Sequence, residues 1–105
     1  MMVIEIDDII YNVCVADGGE NNTFGFIQPD TQKIYLNNSR TKRQMERTLA
    51  HEILHAIVGQ ARLRGDESII VGGDDEKLVQ RMEKIFWRFL RDNGFDFDRY
   101  IGENK

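Results

Sequence analysis

Cysteine, proline and histidine are all scarce in this chain of 105 residues. Cys14 is the one cysteine, which excludes an internal disulfide and a thiolate metal cluster. Pro29 is the one proline, so few positions are barred from regular structure. No apolar run approaches the roughly 20 residues that a membrane-spanning helix needs. Met1 to Asp8 carries acids where a signal peptide requires basic residues, and a cytoplasmic location is expected. A basic excess is also missing: the net charge is −4, and no nucleic-acid or membrane partner is expected. Apolar residues at 41% and charged residues at 30% describe a globular chain, and the length suits one domain with one core.

The first forty residues read as strands and turns. "VIEI" (Val3 to Ile6) and "IIYNVCVA" (Ile9 to Ala16) are β-like. In the second, Tyr11, Val13 and Val15 face one way and Asn12, Cys14 and Ala16 the other. Turn formers fill "DGGENN" (Asp17 to Asn22), which suggests a hairpin loop into a strand at Thr23 to Gln28. "PDTQ" turns the chain into a last strand, Lys33 to Asn37. These segments predict a small, mainly antiparallel sheet of three or four strands over residues 3–37.

The period then becomes helical. A helix over about 41–64 carries Met45, Leu49, Ile53, Ala56 and Ile57 as its apolar positions. Thr41 and Gln44 form a capping box, and Gly65 suits the position after the last turn. "GDESIIVGG" is a loop with room for a short strand at Ile69 to Val71. A second helix over about 75–93 is capped by Asp74 or Asp75 and ended by Asn93-Gly94, with Leu78, Val79, Met82, Ile85, Phe86 and Phe89 as its buried stripe. The tail, 94–105, folds back through Phe95, Phe97, Tyr100 and Ile101 before fraying at Glu103. The expected class is α+β, one domain over 1–105, with a sheet packed on two main helices.

The only two histidines, His51 and His55, stand four residues apart in "TLAHEILHAIVG". On a helix that spacing aligns both imidazoles on one face, within reach of one metal ion. Glu52 sits roughly 100° round the axis, placed to hold a water and take its proton. The surrounding "LAHEILHAIV" is otherwise apolar, and burying such groups without partners costs several kcal/mol, roughly, which a cation relieves. With no third histidine, the remaining ligand must be a carboxylate. Asp74, Asp75, Glu76 and Glu83 are the candidates, and periodicity does not choose among them. Cys14 and Trp87 read as core, and the basic run Arg40 to Arg47 as a solvated face. Tyr11, Tyr35 and Tyr100 could each polarise a carbonyl, but core or surface roles suit them better. Strand Lys33 to Asn37, if it forms the sheet edge, could pair with an extended peptide.

"KIYLNNSRTKRQMERTLAHEILHAIV" followed by "DDEKLVQRMEKIFWRFLRDN" resembles the small zincin-type metallopeptidases of phages and prophages, related to the ImmA/IrrE-like peptidase group. The likeness covers roughly residues 23–93 and rests on Thr48, Leu49, His51, Glu52, His55 and Ala56, then Glu76 and Val79. It implies a minimal zincin-like fold and a zinc ion on His51, His55 and Glu76. It also implies Glu52 as general base and a peptide or protein substrate. The alternative function is a non-catalytic zinc-binding protein, or a phage accessory interaction protein with a degenerate site.

Overall fold

The computed structural model describes residues 2–16, 24–28, 30–63 and 75–101, without the side chains of residues 62, 63 and 75. Four strands come first: β1 (Met2–Ile6), β2 (Ile9–Ala16), β3 (Gly25–Gln28) and β4 (Lys33–Asn37). Three helices follow among the described residues: α1 (Lys42–Leu63), α2 (Asp75–Asp92) and the short α3 (Phe97–Ile101). The class is α+β. The readings at Asp17 to Asn22, Pro29, Gly65 to Asp74 and Glu103 lie outside the described residues.

The sheet order is β1-β2-β4-β3, mainly antiparallel as expected, with one parallel pair that the sequence reading did not specify. β1 and β2 form an antiparallel hairpin through Asp7 and Asp8. Both aspartates adopt left-handed backbone, at φ 52° and 68°, as a two-residue turn between right-twisted strands requires. β2 does not pair with β3. It runs parallel to β4, with Asn12 opposite Lys33 and Ala16 opposite Asn37, while β3 lies antiparallel on the far side of β4. β2 and β3 therefore do not form a hairpin pair. β4 is an interior strand, and β3 borders the sheet among the described residues, so the edge expected at Lys33 to Asn37 belongs to Gly25–Gln28 instead.

One sheet face carries the core. Tyr11, Val13, Ile34 and Leu36 are buried under α1, which lays Met45, Leu49 and Ile53 on them. Among the described residues no helix covers the other face, and Cys14 stands there half-buried rather than in the core, because strand alternation sets it opposite Val13. Tyr35 is on that face too, stacked on Phe26 at 4.7 Å between ring centres.

Asn37 ends β4: its side-chain oxygen accepts from the Ser39 backbone N–H at 2.9 Å and the Ser39 hydroxyl at 2.7 Å. The capping box then starts α1. The Gln44 N–H donates to the Thr41 hydroxyl at 3.2 Å, and the Thr41 N–H donates to the Gln44 side chain at 3.0 Å. α2 ends at Gly94, φ 81°, where the Phe95 N–H reaches the Leu90 carbonyl at 2.9 Å and the Gly94 N–H reaches Arg91 at 3.4 Å. That cap turns the chain so that Phe97, Tyr100 and Ile101 of α3 join the core.

Both long helices depart from their expected stripes. On α1, Ile57 is exposed, while Leu54 and Val58 are buried against Val79 of α2. On α2, Val79 and Trp87 are buried and Phe86 and Leu90 half-buried, but Met82, Ile85 and Phe89 face outward. More than half of the α2 circumference is apolar, so the pattern alone permits several rotations. The one adopted faces Glu76, Val79, Glu83, Phe86 and Leu90 toward α1.

Gly25 lets β3 approach α1. A Cβ there would clash with the Tyr35 carbonyl oxygen and lie 2.7 Å from Thr48 Cγ2. Gly25→Ala is expected to cost about 1–3 kcal/mol, as overpacking of a closed contact does. Thermal denaturation checks this: the midpoint should fall by several degrees, and an unchanged midpoint would show that β3 is free to move away.

Candidate metal centre

The centre lies between α1 and α2. His51 and His55 project from consecutive turns of α1, with ring centroids 4.8 Å apart. Their Nε2 atoms face each other at 3.2 Å. Glu76, in the first turn of α2, straddles both: Oε1 lies 3.1 Å from His51 Nε2 and Oε2 lies 2.8 Å from His55 Nε2. Zinc takes nitrogen and oxygen ligands at about 2.0–2.2 Å in tetrahedral array, which sets neighbouring ligands about 3.3 Å apart. The three edges of this triangle are close to that spacing. Among the described residues these three side chains are the group that could share one ion.

The second nitrogen of His51 is occupied. Nδ1 lies 2.8 Å from Glu83 Oε1, and Glu83 Oε2 accepts from Arg47 Nη2 at 3.1 Å. With the ring proton assigned to Nδ1 for that bond, Nε2 presents a lone pair to the triangle. Two imidazole nitrogens and a carboxylate then converge, and only a proton or a cation between them relieves the repulsion. A cation would satisfy all three donors at once, so the donor set fits a metal.

The four candidate carboxylates are thereby separated. Glu76 meets both rings. Glu83 sits on the far nitrogen of His51, where it fixes the ring's orientation and tautomer rather than joining the triangle. Asp74 lies outside the described residues, as does the side chain of Asp75. Sequence analysis missed the roles of Glu83 and Arg47. A signal was present in the spacing: Glu76, Val79 and Glu83 fall at i, i+3 and i+7, one face of a helix. Arg47 is therefore not simply part of a solvated face, since it spans the two helices through Glu83. The wider basic run is likewise engaged with aromatic rings, with Arg40 over Phe24 and Arg43 over Trp87 at 4.1 and 5.2 Å. Trp87 is core as expected, and its indole N–H donates to Glu46 at 3.3 Å.

Glu52 lines a cleft of about 420 Å³ together with His51, Arg47, Thr48 and residues 24–25 ahead of and within β3. It is only 6% exposed and has no hydrogen-bond partner among the described residues. Burial pushes its carboxyl up to about 7; His51 opposes the shift, and the Glu76 and Glu83 charges add to it. His51 and His55 retain 19% and 21% side-chain exposure and Glu76 retains 50%, so the centre opens to solvent on the Glu76 side. None of the three tyrosines lines this cleft. Tyr11 accepts from Gln60 at 3.2 Å, and Tyr100 is buried against Phe95.

The raised carboxyl predicts a pH signature in chelator-treated protein. The folded state holds the Glu52 proton more tightly than the unfolded chain does. Stability therefore falls as pH rises from the ordinary carboxyl value of 4.5 to about 7. Glu52→Gln removes this component. Denaturant titrations should show the variant gaining on wild type across that window and holding a constant lead above it; a difference that stays flat from pH 4 to 8 would contradict the burial. No family model, no curated protein and no solved structure matches this chain, so the chemistry of the centre has to be read from its own residues.

Proposed function

We propose that the chain is a zinc-dependent metallopeptidase of zincin type, as its resemblance to the phage and prophage enzymes implies, acting on peptides or proteins in the cytoplasm. The observation that carries the reading is the convergence of His51 Nε2, His55 Nε2 and the Glu76 carboxylate at 2.8–3.2 Å beside a buried Glu52 with no hydrogen-bond partner among the described residues. Zinc held by that triad supplies Lewis-acid polarisation of a carbonyl and acidifies water near neutral pH.

The remaining roles belong to the chain's own residues. Glu52 takes the proton of the attacking water and delivers it to the leaving amine. Its buried position excludes competing solvent and leaves the carboxylate free to accept. Glu83, braced by Arg47, keeps the Nε2 lone pair of His51 directed at the centre. β3 borders the cleft through Gly25, and its outer edge, rather than Lys33 to Asn37, offers an extended substrate main-chain pairing.

Elemental analysis and a peptide-library assay test the proposal. Wild type should bind one zinc ion per chain and cleave peptides. His51→Ala and Glu76→Ala should lose the ion, whereas Glu52→Gln should keep it and lose at least about a hundredfold in hydrolysis, the scale of a general base. Hydrolysis by Glu52→Gln at the wild-type rate would remove the proposed mechanism. Zinc without hydrolysis, and unfolding on chelation, would instead assign the ion to fastening α1 onto α2. Glu83→Gln should retain the fold and weaken zinc binding by about 10–100-fold in a competition titration, and unaltered affinity would show that His51 needs no such support.

A further inference from the structure

The outward side of α2 is left without a partner inside the described residues. Met82, Ile85 and Phe89 are 42%, 72% and 58% exposed, and Leu78 continues their line half-buried. The spacing 78, 82, 85, 89 alternates four and three residues, the seam along which one helix packs on another, and it runs about 16 Å at 1.5 Å per residue. Arg81, Lys84 and Arg88 border that seam on one side, all exposed and without an ion pair among the described residues. Of the α2 acids whose side chains are described, Glu76 and Glu83 face α1, and Asp92, in the last turn, pairs with Arg91 at 3.1 Å. A chain of net charge −4 thus carries a cationic row beside an apolar helical stripe.

We propose that this face docks an amphipathic helix of a partner protein, with apolar residues at four-three spacing and a flanking row of glutamate or aspartate. Charge selects that occupant. A second copy of the chain is disfavoured: antiparallel seams would set Arg81 and Arg88 against their own equivalents, and parallel seams would direct them at the Val79 side, which is buried in its own core. An anionic membrane fits less well, because cations lie on one side of the stripe only and the net negative charge opposes approach. An acidic helix needs only that one row. The inference is independent of the metal centre, which faces the opposite side of α2.

A synthetic helical peptide of 18 residues serves as probe, with leucines at four-three spacing and glutamates on the flanks; its twin carries lysines instead. Calorimetry on the full chain should show binding of the glutamate peptide and at least about tenfold weaker binding of the lysine peptide. Ile85→Asp, at a position exposed enough to leave the fold intact by circular dichroism, should weaken the glutamate peptide by at least about tenfold. Arg81→Glu combined with Arg88→Glu should reverse the preference between the two peptides. Equal binding of both peptides, or binding indifferent to these substitutions, would overturn the proposal. So would Ile85-dependent binding to phosphatidylglycerol vesicles without peptide binding, or Ile85-dependent self-association in sedimentation.

Discussion

The contact between two imidazoles on α1 and two carboxylates on α2 sets how the helices lie. Glu76 reaches both Nε2 atoms while Glu83, two turns on, takes the other nitrogen of His51. Satisfying both at once fixes the rotation of α2 about its own axis. Val79, between them on the same face, then meets Leu54 and Val58, so apolar packing and polar pairing agree on one orientation. Turning α2 to bury Met82, Ile85 and Phe89 would draw both glutamates away from the rings and leave the half-buried imidazoles without their polar partners, a cost of several kcal/mol, roughly.

That competition between polar pairing and apolar burial decides which features are legible in the sequence. α1 is legible to within a residue or two, because its capping box and its four-residue histidine spacing are local features. Strands β2 and β4 are legible in extent from their alternation. Their parallel pairing is not: Asn12 meets Lys33 across more than a strand length of intervening chain, and nothing local in either segment announces a partner. The density of turn formers after Ala16 favours a hairpin that the sheet does not contain. On α2 the apolar pattern spans too much of the circumference to name one face, and hydrophobicity alone selects Ile85 and Phe89 over Trp87 and Leu90. The two glutamates are the better guide, since their spacing matches the face that packs.

Partnership also separates the two glutamates. Glu76 and Glu83 are alike in chemistry and differ by nearly two turns, so periodicity leaves both open as ligands and the family resemblance favours the first. The geometry gives them different partners. One carboxylate shares the space between two rings; the other, tied to Arg47, holds a ring in place. The sheet contributes by bringing β3 against α1 at Gly25, which shapes the cleft in which Glu52 stands. A buried carboxylate is unfavourable for folding, and the chain keeps Glu52 beside its two histidines with no hydrogen-bond partner among the described residues. Such placement is what proton transfer at a guarded centre requires.

X-ray absorption at the zinc edge, on protein loaded with one equivalent of zinc, tests the central claim most directly. The account predicts two imidazole nitrogens and one or two carboxylate oxygens at about 2.0–2.2 Å, with one oxygen lost from the sphere in Glu76→Ala and none lost in Glu83→Ala. A sphere of water oxygens alone, or a spectrum indifferent to removal of Glu76, would contradict it.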